Sequence, residues 1–166
     1  MATYEIDKER STFSLRFSPS FPGMGAKISG LTGRFDAAVD HDGTIDWDAP
    51  FSGAFEMHVD DISLGNRFMT FGARQWLDPR QYDRVTGELL DVEPEGTDGF
   101  TSHVRINVKG TEVTMAATGR FDVRTHDDIT VHGRSMADPR EFGVALPPFL
   151  NVMVHVRWRI ELNPVP

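Results

Sequence analysis

The chain of 166 residues contains no cysteine. Disulfide bridges, thiolate metal sites and cysteine nucleophiles are thereby excluded. A chain without disulfides fits a reducing compartment without requiring one. Cations are scarce too: 17 Lys and Arg stand against 25 Asp and Glu, for a formal net charge of −8 and a pI near 5.1. That balance argues against nucleic-acid binding, which depends on clustered Lys and Arg that displace counterions from phosphates. It also argues against electrostatic docking on an anionic membrane. No apolar run approaches the roughly 20 residues of a helical span, so no stable membrane insertion is expected. The opening Met1-Ala2-Thr3-Tyr4-Glu5 lacks the basic and apolar regions of a secretory leader. A cytoplasmic location is expected, or a periplasmic or secreted one if a leader has been removed. Catalytic signatures are missing as well, with no GxSxG, no P-loop and no HExxH.

What the chain has in abundance is alternation. From Val152 to Leu162 every even position is a large apolar residue, and the odd positions are Met153, His155, Arg157, Arg159 and Glu161. A period of two over this length is a long β-strand with one buried and one wet face. The same pattern runs through Phe13, Leu15 and Phe17; Phe35, Ala37 and Val39; and Phe55, Met57 and Val59. It continues in Val85, Gly87 and Leu89; Val104, Ile106 and Val108; Val113, Met115 and Ala117; Phe121 and Val123; and Ile129 and Val131. Turn signals at Asp42-Gly43, Pro94-Glu95-Gly96, Asp98-Gly99, Lys109-Gly110 and Asp127-Asp128 separate most of them. One largely antiparallel sandwich or barrel over residues 1–166 follows.

Two segments break the alternation. Asn66 to Leu77 carries Phe68, Phe71 and Leu77 at helical spacing and is stopped by Asp78-Pro79, which predicts a short helix over one end of the barrel, weakened by Gly72. Ser135 to Phe149 holds Pro139, Pro147 and Pro148 and reads as a loop across a barrel mouth.

The polar residues point away from catalysis. His58, His103, His132 and His155 fall on the wet face of their strands, while His41 and His126 sit in acidic turns. Asp40-x-Asp42-Gly43 resembles the start of a calcium loop, but position 12 is Phe51 instead of glutamate, so a hairpin turn is the better reading and no metal is expected. The inward face offers no acid–base pair. Arg67, Arg74, Arg80, Arg84, Arg134 and Arg140 lie in or beside the two breaks. They could grip a phosphate headgroup, or simply pair with Asp78, Asp83, Asp138 and Glu141 as surface ions do.

Several short motifs, taken in order, carry a family likeness. They are Tyr4-x-Ile6-Asp7 with Ser11-x-Phe13-x-Leu15-x-Phe17, Gly33-Arg34-Phe35, Asp61-Ile62-Ser63 with Arg67 and then Trp76-Leu77-Asp78, and Glu141-Phe142-Gly143. Together the chain resembles the YceI-like family of lipid-binding, lipocalin-like barrels over nearly its whole length. The resemblance implies an eight-stranded antiparallel barrel around a long isoprenoid chain, such as a polyprenyl phosphate or quinone tail, with no other cofactor. The polar end departs from the family pattern. Pro19 stands where a histidine is common, Phe68 and Thr70 where Asp and His are common, and Pro139 where an arginine is common.

The expectation is a non-enzymatic carrier of a hydrophobic small molecule. Phe13, Phe17, Phe35, Phe55, Met57, Val104, Ile106, Met115, Val154, Val156 and Trp158 would line a tunnel, with small Gly33, Ala37, Gly87, Ala117 and Gly119 leaving room in it. Phe68, Phe71 and Trp76 would form a lid, Phe142 would join from the loop, and Arg67 with Arg74 or Arg140 would hold a headgroup. The apolar lid would serve equally as a homodimer patch. Two other readings stay open: a ligand-free barrel acting as an interaction module, and an enzyme working on a lipid through Asp138, Arg140 or Glu141.

Overall fold

A computed structural model describes residues 1–18 and 25–166; the Pro19 departure lies outside them. The strands in chain order are β1 (Ala2–Ile6), β2 (Thr12–Ser18), β3 (Gly25–Ile28), β4 (Thr32–Ala37), β5 (Ser52–His58) and β6 (Ile62–Ser63). After the helix α1 (Arg67–Leu77) come β7 (Arg84–Glu95), β8 (Gly99–Val108), β9 (Thr111–Thr125), β10 (Asp128–Ala137) and β11 (Met153–Pro164). Among the described residues, eight strands close a ring in the order β1-β4-β5-β7-β8-β9-β10-β11, and β11 returns to β1. All these pairings are antiparallel. The expected barrel is therefore present, with β2, β3 and β6 added outside the ring beside the first half of β11.

Closure depends on β11 changing partners along its length. Its first half pairs with β2, from Met153 opposite Ser18 to Arg159 opposite Thr12. Its last residues pair with β1, from Leu162 opposite Ile6 to Pro164 opposite Tyr4. The turn between β1 and β2 is hooked onto β11 at the changeover: the Asp7 amide donates to the Glu161 carbonyl at 2.8 Å, and the Glu161 amide donates to Ser11 Oγ at 3.0 Å. The Glu161 carboxylate is buried there, paired with Arg159 and accepting from Thr130 Oγ1. Beyond the sheet, Val165 N donates to Thr3 O at 2.8 Å, so the two chain ends lie side by side.

The register departs from simple alternation at one useful place. Leu89 faces Val104 and Asp91 faces His103, leaving Leu90 as an extra residue in a bulge. The bulge reverses the parity of β7, so Val92, not Asp91, turns inward beside Ser102. β10 also runs through Ala137, three residues into the segment expected to be loop, because Ser135 and Ala137 find register with Val156 and Val154. The Asp42-Gly43 segment is a hairpin turn, with Gly43 at φ +88° and the Thr44 amide donating to Asp42 Oδ1.

The chain connections sort to two ends. Residues 38–51 and the β7–β8 and β9–β10 hairpins lie at one end, next to Ala2 and Ala37. At the other lie α1, the β8–β9 hairpin and the β10–β11 connection, so both breaks in the sequence pattern cover the same end. The helix begins at Asn66, whose Oδ1 accepts from the Phe68 and Met69 amides, and stops at Asp78 in the left-handed region. Lys109 fixes its far end, donating from Nζ to the Trp76 carbonyl at 2.7 Å with the ammonium 5.1 Å from the Trp76 ring centre.

Asp7 gives the closing turn a pH signature. Hydrogen bonds from the Arg10 side chain first, then from backbone amides and Asn163, hold its carboxyl down at about 2 from an ordinary 3.8. A depressed acid stabilises the fold above its unfolded value, and that stabilisation is lost as pH falls through the folded value. Asp7→Ala is therefore expected to melt below the parent at pH 7, with the gap closing between about pH 4 and pH 2 in thermal melts. A gap independent of pH over that window would remove Asp7 from the clasp.

Candidate functional site

The inward-facing residues surround a cavity of about 840 Å³, within the roughly 300–1,000 Å³ common for small-molecule sites. Its hollow comes from cross-strand pairing. Phe35 lies opposite Gly53, Phe55 opposite Gly87, Phe100 opposite Gly119, and Trp158 opposite Gly133. A β-carbon on those glycines would fall 2.1 Å from Phe35 Cδ1, 2.1 Å from Phe55 Cζ, 2.5 Å from Phe100 Cζ and 2.2 Å from Trp158 Cζ2. Each ring therefore occupies the side-chain space its partner strand leaves empty. The sequence reading gave two of these glycines, Gly87 and Gly119, to the tunnel as open space. The structure corrects that: the space is taken by rings belonging to the wall, and the lumen stays open because the rings are laid against it.

The end carrying residues 38–51 is stoppered by aromatic packing. Phe121 lies 5.0 Å from Phe100, 5.8 Å from Trp47 and 6.2 Å from Phe51, centre to centre. Trp47 and Phe51 come from a connection without strand periodicity, so alternation gave no signal for them; Phe100 shares the inward parity of Val104 and was legible in principle.

Of the residues the sequence assigned to the tunnel, Phe13, Phe17, Phe35, Phe55, Met57, Val104, Ile106, Met115, Val154, Val156 and Trp158 all border the cavity. Phe13 stacks on Trp158 with ring centres 6.3 Å apart. Phe68, Trp76 and Phe142 border it at the opposite end, with Val144 and Leu150. Phe71 does not: it is 66% exposed and absent from the wall. The helix forms as expected but is turned about its axis. Met69, Ala73, Trp76 and Leu77, spaced as one helical face, pack on the barrel, leaving Phe68 88% exposed at the rim.

The arginines are placed differently from the headgroup expectation. Arg74 donates to the carbonyl oxygens of Asp60 and Ile62, tying α1 to the segment before it. Arg140 donates to the carbonyls of Pro147 and Leu150 and lies 3.8 Å from Asp138, bracing the β10–β11 connection. Arg67 is exposed in the first turn of α1. None of the three borders the cavity. Loop carbonyls that strands cannot satisfy need donors, and the nearest guanidinium groups supply them. Arg84 takes the ion-pair alternative, with Glu56 at 3.0 Å and Asp83 at 3.7 Å. Of the loop residues weighed for catalysis, Arg140 is engaged as above, Asp138 caps the single turn Pro139–Phe142 by accepting from the Arg140 amide, and Glu141 is exposed. Among the described residues no histidine borders the cavity, and His103 instead pairs with Asp91 at 2.9 Å.

Polar atoms in the wall are few. Ser102 and Ser135 face inward, and Ser135 Oγ donates to the Ala116 carbonyl at 2.6 Å. Tyr4, 1% exposed, has a hydroxyl without a hydrogen-bond partner among the described residues. Burial, and secondarily the charge of Asp127, push its pKa up.

No protein-family model and no curated protein matches the sequence. Solved structures do match the fold. BcnA of Burkholderia cenocepacia aligns over 94% of this chain and 98% of its own, with a TM-score of 0.77 at 15% identity. This chain shares the fold of the YceI-type barrels. A polyisoprenoid-binding domain from Saccharophagus degradans implicated in plant cell wall breakdown aligns over 99% of this chain and 100% of its own, with a TM-score of 0.73 at 11% identity. The Campylobacter jejuni YceI protein covers 84% of this chain and 87% of its own, with a TM-score of 0.55 at 11% identity. At these identities the likeness is one of architecture, and the YceI fold is here furnished with its own side chains.

Two substitutions check the wall. Gly133→Val suits a strand backbone but collides with Trp158, so it is expected to lower the unfolding free energy by about 1–3 kcal/mol in urea titrations. Tyr4→Phe removes an unpartnered buried hydroxyl and keeps the ring, so it should raise that free energy by about 1 kcal/mol. A comparable loss would mean that the hydroxyl is bonded in solution.

Proposed function

We propose that this protein binds a long apolar chain inside the barrel, an isoprenoid, an isoprenoid quinone or another lipid chain, and carries or sequesters it without chemical change. The observation that carries the reading is the cavity: continuous, walled almost wholly by apolar side chains, and kept open by rings seated on glycines. Each buried methylene contributes about 0.8 kcal/mol, so a chain of this kind needs no polar contact to be held. The fold likeness to a polyisoprenoid-binding domain supports the ligand class. Because Arg74 and Arg140 are engaged with backbone carbonyls, the polar end of the ligand is proposed to stay at the mouth, in water, with the chain inside.

Native mass spectrometry of protein purified from its own host, with organic extraction of anything bound, tests this. The expected result is a discrete prenyl or acyl adduct. A clean unliganded mass with no uptake of added polyprenyl phosphate, isoprenoid quinone or fatty acid would overturn it in favour of a ligand-free interaction module. Trp158→Arg puts an unpaired charge against the chain and is expected to weaken retention roughly tenfold or more. Unchanged retention in the folded variant would remove Trp158 from the contact surface.

A further inference from the structure

We propose that the open end of the barrel docks on the surface of a lipid bilayer through Phe68 and Phe71 of α1 and Phe149 of the β10–β11 connection, so that an apolar chain passes between membrane and cavity without crossing water. The inference rests on the apolar-ligand reading above for its purpose, and on separate observations for the contact itself.

Phe68, Phe71 and Phe149 are 88%, 66% and 87% exposed, and no other described phenylalanine is exposed. All three lie at the end where, among the described residues, Phe68, Val144 and Leu150 border the cavity. Single exposed apolar side chains are ordinary, but large aromatic ones gathered around one opening mark a contact surface. Phenylalanine beside arginine on a short amphipathic helix suits the boundary between headgroups and acyl chains, and Arg67 is exposed one residue before Phe68.

The charge of −8 is not an obstacle once its position is considered. Asp40, Asp42, Asp46, Asp48, Asp98 and Asp127 sit in the connections of the stoppered end, with Glu95 and Asp128 on the strand ends beside them. The open end carries both signs in near balance, with Arg67, Arg74, Arg80, Lys109 and Arg140 against Asp60, Asp61, Asp78, Asp83, Asp138 and Glu141. A tilted strand of the ten residues found in β10 separates the two ends by roughly 25 Å. The screening length at physiological salt is about 8 Å, so the acidic turns are felt only weakly at a surface touching the mouth. Apolar contact then decides, and the binding should depend little on headgroup charge. A second copy of the chain seated on the same residues would instead seal the cavity.

The test is flotation of the whole protein with phosphatidylcholine vesicles and with vesicles containing phosphatidylglycerol, beside the double variant Phe71→Ser, Phe149→Ser. Neither side chain borders the cavity, so uptake of geranylgeraniol from cyclodextrin solution should be the same in both proteins. Wild type is expected to float with both vesicle types, and the double variant to lose binding roughly tenfold or more. Three results would overturn the docking: wild type that does not float, a double variant that floats as well as wild type, or a wild-type dimer in sedimentation whose dissociation by the double variant leaves flotation unchanged. Absence of geranylgeraniol uptake by wild type would count against the ligand reading alone, since flotation reports the contact independently.

Discussion

The hollow depends on where the aromatic rings lie. A barrel of eight strands is near the size at which side chains alone can fill it. Phe35, Phe55, Phe100 and Trp158 carry enough bulk to close the lumen if they pointed across it. Each instead lies over a directly opposed glycine, in space that any β-carbon would claim. The cavity is thus a product of pairing register, and a one-residue slip in any of these strand pairs would separate ring from glycine and turn the slipped strand's inner face outward. The ring itself is closed by the changeover on β11, where one strand satisfies β2 with its first half and β1 with its last residues. The Asp7 and Ser11 bonds to Glu161 fix where that change occurs.

The two ends are built by different means. The stoppered end is held by two short hairpins and by an aromatic cluster around Phe121 that the long 38–51 connection completes. The open end is held by polar side chains acting on backbone: Asn66 on the start of α1, Lys109 on its finish, Arg74 on the segment before it and Arg140 on the proline-bearing connection. Irregular backbone at a mouth leaves carbonyls without sheet partners, and long cationic side chains reach them from positions the strands cannot. This explains why Arg74 and Arg140, two of the arginines gathered in the sequence around the breaks, do not converge on the cavity.

The wall was legible because alternation fixes which side chains share a face. Phe13, Phe55, Ile106, Val154 and Trp158 could be placed inside from parity alone. Parity fails at the Leu90 bulge, which leaves no mark in composition, and so Val92 went unassigned. It also says nothing about connections, which is why Trp47 and Phe51 were missed. Glycine is ambiguous in a one-dimensional reading: next to an inward run it can mean free volume or the seat of a neighbour's ring, and only the register distinguishes them. Phe71 misled because its spacing from Phe68 fits a helical stripe, whereas packing of Trp76 and Leu77 chose a different face.

The side-by-side chain ends, tied by Val165 and Thr3, sit at the stoppered pole. A label, tether or partner domain joined to either terminus is held a barrel's length from the opening. Joining the two ends through a short linker would give a circular permutant whose new termini can be cut elsewhere, making the molecule's orientation on a surface something an experimenter can set.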